Sequence, residues 1–323
     1  MSGGVARGGR EGASTEPERG SPVPRSAVTP ARFALGGSVA ASAAGIDPYR
    51  SRVMLWAEIT GRVQRESSEA MRWGLALEPA IDAELTERGY ELLAAPADGF
   101  TDPERPWLIG HPDGFAVLSG ERVVYERKTM GQWAHRANGS GAAVPLPYQC
   151  QAQVYMHLTG LARTLVATLV GGQRLEVGTV ERDDRAVAAL LDRMEDFRGY
   201  LRRDRPPAPD GSDSARAAVI ALFPGAQDAK VYRLTREEWA TVRELRALRE
   251  QAATIAAQIQ ERENVLKLAV GDAEHAISPH DTDALRWANV IAARVDTKAL
   301  RAARPAVAEE FTVHTTTRRF TLL

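Results

Sequence analysis

The chain has 323 residues, of which 44% are hydrophobic, and its formal net charge at pH 7 is −1. This length allows one large domain with an appendage, or two domains. The balanced charge excludes a global basic field, although 41 lysine and arginine residues could still form a local DNA-binding groove. The single cysteine, Cys150, excludes a disulfide framework, a cysteine zinc site and a four-cysteine iron–sulfur cluster.

The hydrophobic pattern predicts neither a membrane span nor a signal peptide. The longest apolar run, Leu161 to Val170, contains Arg163 and is much shorter than the roughly 18 residues that a spanning helix needs. Residues 1–30 are rich in Gly, Ser, Pro and Arg and lack an apolar signal core. We therefore expect a disordered N-terminal tail and a cytoplasmic protein with no membrane partner.

Ordered structure is predicted to begin near Arg32. Gly36, Gly37 and Ser38 precede a short helix of small residues over 39–44, which closes at Gly45. Ser38 has the position of an N-cap, and the backbone N–H groups beside the paired glycines could bind an anion. An ordinary capped helix explains the same residues and is the simpler interpretation.

A longer helix is predicted over 66–88, because a mostly apolar stripe recurs at three-to-four-residue spacing: Met71, Leu75, Glu78, Ile81 or Asp82, and Leu85. Glu78 lies on or near this apolar stripe, where a carboxylate costs free energy unless it has a partner. The side chain therefore either reaches solvent at the boundary or contacts a metal ion or a lysine.

The most informative stretch runs from His111 to Lys128. Asp113 lies in a Pro-Asp-Gly turn, and Glu126 and Lys128 are two residues apart in a strand-like run. Side chains two apart on a strand point to the same face. If the strand after Asp113 pairs with this one, two carboxylates and an ammonium group converge, as a magnesium-dependent phosphodiesterase requires. A simple turn and a solvated strand edge are the alternatives.

Further strands are predicted around this stretch, in an antiparallel meander that turns at Ser119-Gly120: 91–94, 107–109, 114–118 and 122–129. Residues 130–146 are predicted to be a loop, either a disordered connector or a basic and aromatic segment for a DNA end, with Arg136 in it. The helix opened by Pro147 carries Tyr148, Gln151 and Tyr155 in one stripe and Gln153 on another flank. Two strands, 165–170 and 174–181, and a helix over 186–201 follow.

The pattern changes after residue 204. Proline-rich residues begin a predicted linker over 205–230, which separates an ordered region over 31–204 from a C-terminal helical and small β module over 231–323. Residues 234–270 are predicted to be mostly one helix, whose apolar side chains alternate at three-four spacing as in a helical hairpin arm or a coiled-coil seam. Short strands are expected at 287–291, 311–314 and 319–322, around a helix at 296–301.

These motifs together resemble one family, over roughly residues 32 to 200. The chain looks like a phage-type alkaline exonuclease of the YqaJ group, related to lambda exonuclease within the PD-(D/E)xK nuclease superfamily. The resemblance rests on five motifs in order: Gly36-Gly37-Ser38 with Pro48-Tyr49 and Leu55-Trp56; Trp73-Gly74 with Glu78-Pro79; Pro112-Asp113-Gly114; Glu126-Arg127-Lys128-Thr129; and Tyr148 to Gln151, Gln153 and Tyr155-Met156. It implies an α/β (α+β), restriction-endonuclease-like core with a mixed central sheet flanked by helices, here with a long-helix C-terminal extension.

The resemblance also implies roles for residues. Asp113 and Glu126 would bind the metal, with the backbone carbonyl of Arg127 as a further ligand. Lys128 would orient or deprotonate the attacking water, and Glu78 and Gln151 would complete the catalytic group. The residues implied in DNA or phosphate binding are Arg32, Ser38, His111, Arg136, Tyr148 and Gln153. His111 stands where the lambda enzyme has a serine, and Arg136 would replace an arginine that has no counterpart in register.

The function implied is a Mg²⁺-dependent 5′→3′ exonuclease on double-stranded DNA ends, with Mn²⁺ as a substitute metal. The released strand would pass to a single-strand annealing protein in phage recombination inside a bacterial host, and the enzyme would form a homo-oligomeric ring. An endonuclease of the same superfamily is one alternative. A DNA-binding or scaffold protein with a relict nuclease core is another, and the intact Asp113, Glu126 and Lys128 set disfavours it.

Overall fold

The computed structural model describes residues 33–64, 67–132, 144–227, 230–315 and 317–323. The chain divides into two compact units, one ending at Val219 and one beginning at Ile220. This boundary falls inside the predicted 205–230 linker, and the predicted domain limits themselves stay a prediction. Part of that linker is helical in the structure, since a helix covers Asp213–Leu222.

The first unit is built on a five-stranded mixed sheet with the order β2-β5-β6-β7-β8. Its strands are β2 (Glu91–Ala94), β5 (Gly114–Leu118), β6 (Glu121–Met130), β7 (Arg163–Val170) and β8 (Arg174–Glu181). All neighbours pair antiparallel except β6 and β7, which run parallel. Ser119 and Gly120, both with positive φ, form the β5–β6 turn, as a two-residue hairpin loop requires. The predicted mixed sheet is confirmed.

The helices of this part of the chain are α1 (Ala40–Ala44), α2 (Arg52–Ile59), α3 (Glu69–Glu87), α4 (Leu146–Thr159), α5 (Asp184–Arg202) and α6 (Asp213–Leu222). Helices α3 and α4 pack on the strands of the sheet, and α1, α2 and α5 pack on other helices. The parallel β6–β7 pair needs a crossover, and α4 lies on the connection that provides it. This connection lays α4 beside the strand that holds Glu126 and Lys128.

A second, small sheet pairs a strand near the start of the described chain with two strands that precede Asp113. It has the order β1-β4-β3, with β1 at Leu35–Gly36, β3 at Phe100–Thr101 and β4 at Leu108–Gly110. Gly37 directly follows β1 and packs closely against α4. A Cβ atom at this position would lie 2.7 Å from Cε1 of Tyr155 and 3.2 Å from the backbone oxygen of Gln151. Close packing therefore requires a glycine at position 37, whereas a Cβ atom at Gly36 would make only an ordinary contact of 3.5 Å.

The core of the first unit lies between α3 and the sheet. Ile81 and Leu85 of α3 pack against buried residues of the three central strands: Ala116, Val123, Tyr125, Leu165 and Ala167. Buried apolar side chains of this kind each stabilise the fold by about 1.5–3 kcal/mol. Four consecutive residues of β6, from Val123 to Glu126, are buried, because a central strand is covered on both faces.

Three local predictions differ from the structure. Ser38 is not an N-cap, because it lies in a 3-10 turn and α1 begins at Ala40 after the uncapped Val39. The first half of α3 does not bury its apolar stripe, since Met71 and Leu75 are exposed. Residues 287–291, 311–314 and 319–322 form no strand.

The second unit contains one long helix and several short elements. Helix α7 (Arg236–Val270) has 35 residues and begins with a capping box in which Thr235 and Glu238 exchange side chain-to-backbone hydrogen bonds. A hairpin of β9 (His275–Ile277) and β10 (Asp283–Arg286) follows, and then α8 (Thr297–Ala303) and α9 (Pro305–Glu310). In the parts of the chain that the structure describes, no helix is both long and apolar enough to cross a membrane.

Candidate active site

Successive side chains of strand β6 point to opposite faces, so the candidate catalytic residues lie on one face and the residues that contact α3 lie on the other. Glu126 and Lys128 point to one face, where Lys128 Nζ lies 2.5 Å from Glu126 Oε1. Tyr125 and Arg127 point to the other face, toward α3. The side-chain direction predicted from the two-residue spacing is therefore what the structure has.

Asp113 reaches the same end of the sheet from the neighbouring strand. Asp113 immediately precedes β5, in which Gly114 pairs with Tyr125, so Asp113 stands across from Glu126. The Asp113 Oδ2 atom accepts a hydrogen bond of 2.8 Å from the backbone N–H of Arg127. The negative charge of Asp113 also acts on Glu126, whose pKa it helps to raise. The structure thus brings Asp113, Glu126 and Lys128 together.

The Glu126 carboxylate is only 3% exposed, and its two oxygens have different surroundings. Oε1 accepts hydrogen bonds from Lys128 Nζ and from Gln151 Nε2, each at 2.5 Å. Oε2 is buried and has no hydrogen-bond partner in the structure. Such an atom forfeits the stabilisation that a buried acceptor normally receives, unless a ligand supplies it.

The electrostatic balance at this pair is set by burial and by charge. Burial raises the pKa of Glu126 to about 7, with Lys128 opposing the rise and Asp113 adding to it. Burial alone would lower the pKa of Lys128, but the Glu126 carboxylate outweighs it, so the pKa of Lys128 is raised. Glu126 can therefore gain or lose a proton near neutral pH, while Lys128 stays positively charged.

Helix α4 lies over the site and contributes the side chains of the predicted stripe, Tyr148, Gln151 and Tyr155. Gln151 donates to Glu126 and lies 3.2 Å from the Tyr155 hydroxyl, and the Lys128 ammonium lies 5.4 Å from the centre of the Tyr148 ring. Spacings of three and four residues place these side chains on one face of the helix. Together they fix the carboxylate and the amine in position.

The arrangement fits a divalent cation that prefers oxygen ligands. The buried Oε2 atom of Glu126 and the free oxygen lone pairs of Asp113 are hard ligands of the kind that Mg²⁺ takes. Across the described ranges, no cluster of three or more His, Cys, Asp or Glu side chains is arranged to hold a metal. A cation here would need further oxygens from the backbone, water or phosphate, which is usual for Mg²⁺.

Comparison with known proteins finds a family resemblance over part of the chain. Residues 28–162 match the family model described as the YqaJ-like viral recombinase domain. The matched region contains Asp113, Glu126, Lys128 and Gln151, and it ends one residue before β7.

Similar proteins extend over more of the chain. The protein named "Uncharacterized protein YqaJ" of Bacillus subtilis (strain 168) is 26% identical over 294 residues, which cover 90% of this chain and 91% of that relative. An alkaline exonuclease from Laribacter hongkongensis is 22% identical, with a TM-score of 0.44, over 54% of this chain and 90% of that one. A phage-related exonuclease from Haemophilus somnus 129PT is 14% identical, with a TM-score of 0.40, over 54% and 95%.

Glu78 borders a cleft beside strand β6, and its carboxylate forms an ion pair with Arg127. Its carboxylate is 3.0 Å from Arg127 Nη2, and Asp82, one turn later, binds both Arg127 Nη1 and the Tyr125 hydroxyl. Sequence reasoning missed Asp82. The signal was present, because Glu78 and Asp82 are four apart on a helix and Tyr125 and Arg127 are two apart on a strand.

The cleft itself measures about 440 Å³ and is bordered by Ser38, Glu78, Arg127, Lys128 and Thr129. Ser38 and Lys128 thus border one cavity. Glu78 borders it as well, but its carboxylate pairs with Arg127, whose side chain lies on the face of β6 opposite to that of Glu126. Gly74 permits the close approach of α3, since a Cβ atom there would lie 3.2 Å from the Thr129 hydroxyl.

The remaining predicted DNA-binding residues are placed as follows. Gln153 lies away from the acids, and its amide group bonds the Glu181 oxygen at 2.7 Å and the Asp183 N–H at 3.0 Å. His111 is exposed and lies against Gly99. Arg32 and Arg136 lie outside the described residues. Gln153 is therefore a structural link between β8 and α5 in this fold.

Proposed function

We propose that this chain is a Mg²⁺-dependent 5′→3′ exonuclease that degrades one strand from double-stranded DNA ends. The observation that carries the proposal is the convergence of Asp113, Glu126 and Lys128, with one buried Glu126 oxygen left without a partner. The YqaJ-like viral recombinase domain supports a role in phage-type recombination. We further propose that the enzyme acts in the bacterial cytoplasm.

Asp113 and Glu126 would hold the cation, with the Arg127 carbonyl as a further oxygen ligand. Mg²⁺, or Mn²⁺ in its place, would supply Lewis-acid activation of the phosphate and a lower pKa for the attacking water. The role of Glu126 requires its ionised form, which its pKa of about 7 provides from neutral pH upward.

Lys128 has the position of the residue that orients the attacking water. Its ammonium is held between Glu126 and the ring of Tyr148, so a phosphate entering the cleft would meet a fixed positive charge. A preorganised donor of this type stabilises developing negative charge without reorganising during the reaction. Gln151 keeps the carboxylate in place by binding Oε1.

The 5′ end of the substrate would lie toward Ser38, which borders the same cleft as Lys128. The resemblance adds Arg32, His111 and Arg136 as phosphate contacts in this proposal. Gln153 is not included, because both ends of its amide are already bonded to the backbone. A single-strand annealing protein and a ring-shaped homo-oligomer remain proposed partners.

The test is digestion of a linear duplex that carries a label at either the 5′ or the 3′ end, in the presence of Mg²⁺. The proposal predicts early release of labelled mononucleotide from the 5′-labelled substrate, retention of the 3′ label, and no cleavage of covalently closed circles. Cleaved circles would instead indicate an endonuclease. Intact ends on DNA that the protein demonstrably binds would indicate a relict core.

Matched variants connect the activity to the site. Lys128→Ala is expected to reduce the rate by about a thousandfold, because it removes the water-orienting amine and the nearest positive charge. Lys267→Ala is the control, since Lys267 also pairs with a glutamate, Glu263, at 3.0 Å, but on the exposed surface of α7. Equal losses in both variants would contradict the assignment.

A further inference from the structure

We propose that α7 pairs with the α7 helix of a second copy of this chain, as an antiparallel two-stranded coiled coil. The helix has 35 residues, which corresponds to a length of about 52 Å. Within the second unit, as far as the structure describes it, none of these residues is buried. This interface is independent of the proposed nuclease activity.

The exposed side chains of α7 include an apolar stripe that is interrupted only at Arg262. Leu248, Ile255, Ile259 and Leu266 are each between 50% and 60% exposed. A soluble protein rarely leaves so long an apolar surface uncovered, so the stripe indicates a binding partner. The polar remainder of the helix is rich in Glu, Gln and Arg, as is usual for the outer face of a coiled coil.

The stripe has the spacing of a heptad repeat. Eight positions alternate at three and four residues without a break: Leu245, Leu248, Ala252, Ile255, Ile259, Arg262, Leu266 and Ala269. A period of 3.5 residues keeps such a seam facing one partner helix along its whole length. A helix that docks on a globular surface has no need of this strict repeat.

Arg262 and Ala252 decide the orientation. In a parallel pair in register, each seam residue meets its own copy, so two Arg262 guanidinium groups would meet inside the seam and Ala252 would face Ala252. In an antiparallel pair centred at the level of Ala257, Arg262 of one copy faces Ala252 of the other. The small side chain leaves room for the large one, and the two charges lie apart.

The same alignment matches the apolar layers. Ile255 of one copy faces Ile259 of the other, and Leu248 faces Leu266, while Leu245 at the end of the seam faces the small Ala269. Because the arrangement is two-fold symmetric, every such layer occurs twice. Interdigitated apolar layers are the source of stability in coiled coils.

Charges beside the seam agree with this alignment. Arg249 of one copy lies within reach of Glu263 of the other, on both sides of the two-fold axis. Glu263 is bonded within its own helix to Lys267, in an exposed pair of the kind that contributes little. A parallel pair would gain a contact between Glu244 and Arg249, but only by placing the Arg262 side chains together.

The first experiment measures the mass of the full-length chain in solution by sedimentation equilibrium. We expect that Ile255→Lys combined with Ile259→Lys lowers the mass to about half that of the wild type, because the helix pair joins the two halves of the assembly. Gln260→Lys, on the solvent side of the helix, is the control and should retain the wild-type mass. Circular dichroism of each variant checks that the helix is still formed. A folded double variant with the wild-type mass would overturn the proposal.

The second experiment tests orientation by cross-linking. The chain's own cysteine, Cys150, is buried, so introduced cysteines can be oxidised selectively. Mixed chains carrying Leu248→Cys and Leu266→Cys should form a disulfide between them, whereas Leu248→Cys alone should not. Efficient self-cross-linking of Leu248→Cys would show a parallel pair and overturn the antiparallel assignment.

A charge-reversal series gives independent confirmation. Arg249→Glu is expected to weaken the dimer by about tenfold, in line with the 1.4 kcal/mol that corresponds to one decade of affinity. Adding Glu263→Arg should restore it. Restoration by Glu244→Arg instead would also overturn the antiparallel alignment.

Discussion

Replacing Lys128 by methionine separates the electrostatic role of this residue from its catalytic role. Methionine keeps an unbranched apolar stem but removes the ammonium group that lies 2.5 Å from Glu126 Oε1. Burial raises the pKa of Glu126, and the Lys128 charge is the largest influence that opposes the rise. In the Lys128→Met variant, the pKa of Glu126 should therefore increase beyond its present value of about 7.

The size of this increase follows from the geometry. Two unit charges about 4 Å apart attract by roughly 4 kcal/mol at an effective dielectric constant of about 20. One pKa unit corresponds to about 1.36 kcal/mol. If about a third of this attraction remains after the cost of desolvation, removing the Lys128 charge raises the pKa of Glu126 by about one unit. At pH 7 the ionised fraction of Glu126 would then fall roughly fivefold, and the Mg²⁺ affinity would fall with it.

Calorimetric titration of the DNA-free protein with Mg²⁺ between about pH 6 and pH 9 measures this effect. The midpoint of binding should move upward by about one unit in Lys128→Met. At the alkaline end the variant should bind Mg²⁺ at least as tightly as the wild type, because a repelling cation has been removed, yet DNA hydrolysis should stay strongly reduced. Lys267→Met, which removes an exposed ion pair with Glu263, should change neither quantity.

Two results would refute this reasoning. An unchanged binding midpoint in Lys128→Met would mean that the amine does not influence the proton on Glu126, despite the short contact. Wild-type hydrolysis by the same variant at alkaline pH would mean that the amine serves only the carboxylate and has no role toward water or phosphate.

Three further predictions concern other parts of the first unit. Gly37→Ala should destabilise the fold by about 1–3 kcal/mol in urea unfolding, because its Cβ atom would lie 2.7 Å from the Tyr155 ring; unchanged stability would show that the ring can move. Burial raises the pKa of Asp102, but the hydrogen bonds from His157 and from the backbone N–H groups of Glu104 and Arg105 together lower it below the ordinary value. Asp102 therefore stabilises the fold above about pH 3.8 and progressively less as the pH falls through its lower folded value. Asp102→Asn should therefore cost about 1–3 kcal/mol at pH 7 and almost nothing near pH 2, and a constant difference would contradict this. Gln153→Leu should lower stability by about 1–3 kcal/mol while leaving DNA affinity unchanged, and weaker DNA binding by the folded variant would restore Gln153 as a DNA contact.

The acidic pair and the lysine were predictable because their arrangement is local. Strand alternation alone places Glu126 and Lys128 on one face, and a hairpin turning at Ser119-Gly120 returns Asp113 to the same end. Such inferences need only the period of a strand and the length of a turn. Both are properties of short segments, so one sequence is sufficient.

Helix α3 shows where this reasoning ends. Its apolar spacing predicted one buried stripe, but only Ile81 and Leu85 are buried, while Met71 and Leu75 border the cleft and are exposed. Periodicity identifies the face of a helix, whereas burial depends on what lies opposite each turn. The sheet lies opposite the last turns of α3, and the cleft lies opposite the first ones.

The prediction of strands at 287–291, 311–314 and 319–322 is wrong for a related reason. The apolar residues at 287–291 have strand propensity, but a strand also requires a partner to receive its backbone hydrogen bonds. In the structure the pairing is between β9 and β10, across a turn in which Ser278 N–H donates to the Thr282 oxygen at 2.7 Å. Which of several short segments finds a partner is decided by pairing, and composition does not contain that information.

The state of Glu126 in the folded chain connects stability to function. A carboxylate that is 3% exposed, with one oxygen lacking any hydrogen bond and a pKa raised to about 7, is less stable when ionised than it would be in water. Lys128 and Gln151 stabilise the ionised form through Oε1, but neither reaches Oε2. A bound cation would supply the partner that Oε2 lacks. A buried acid with an unmatched oxygen, held beside a fixed amine, therefore supports the proposed metal-binding role of Glu126.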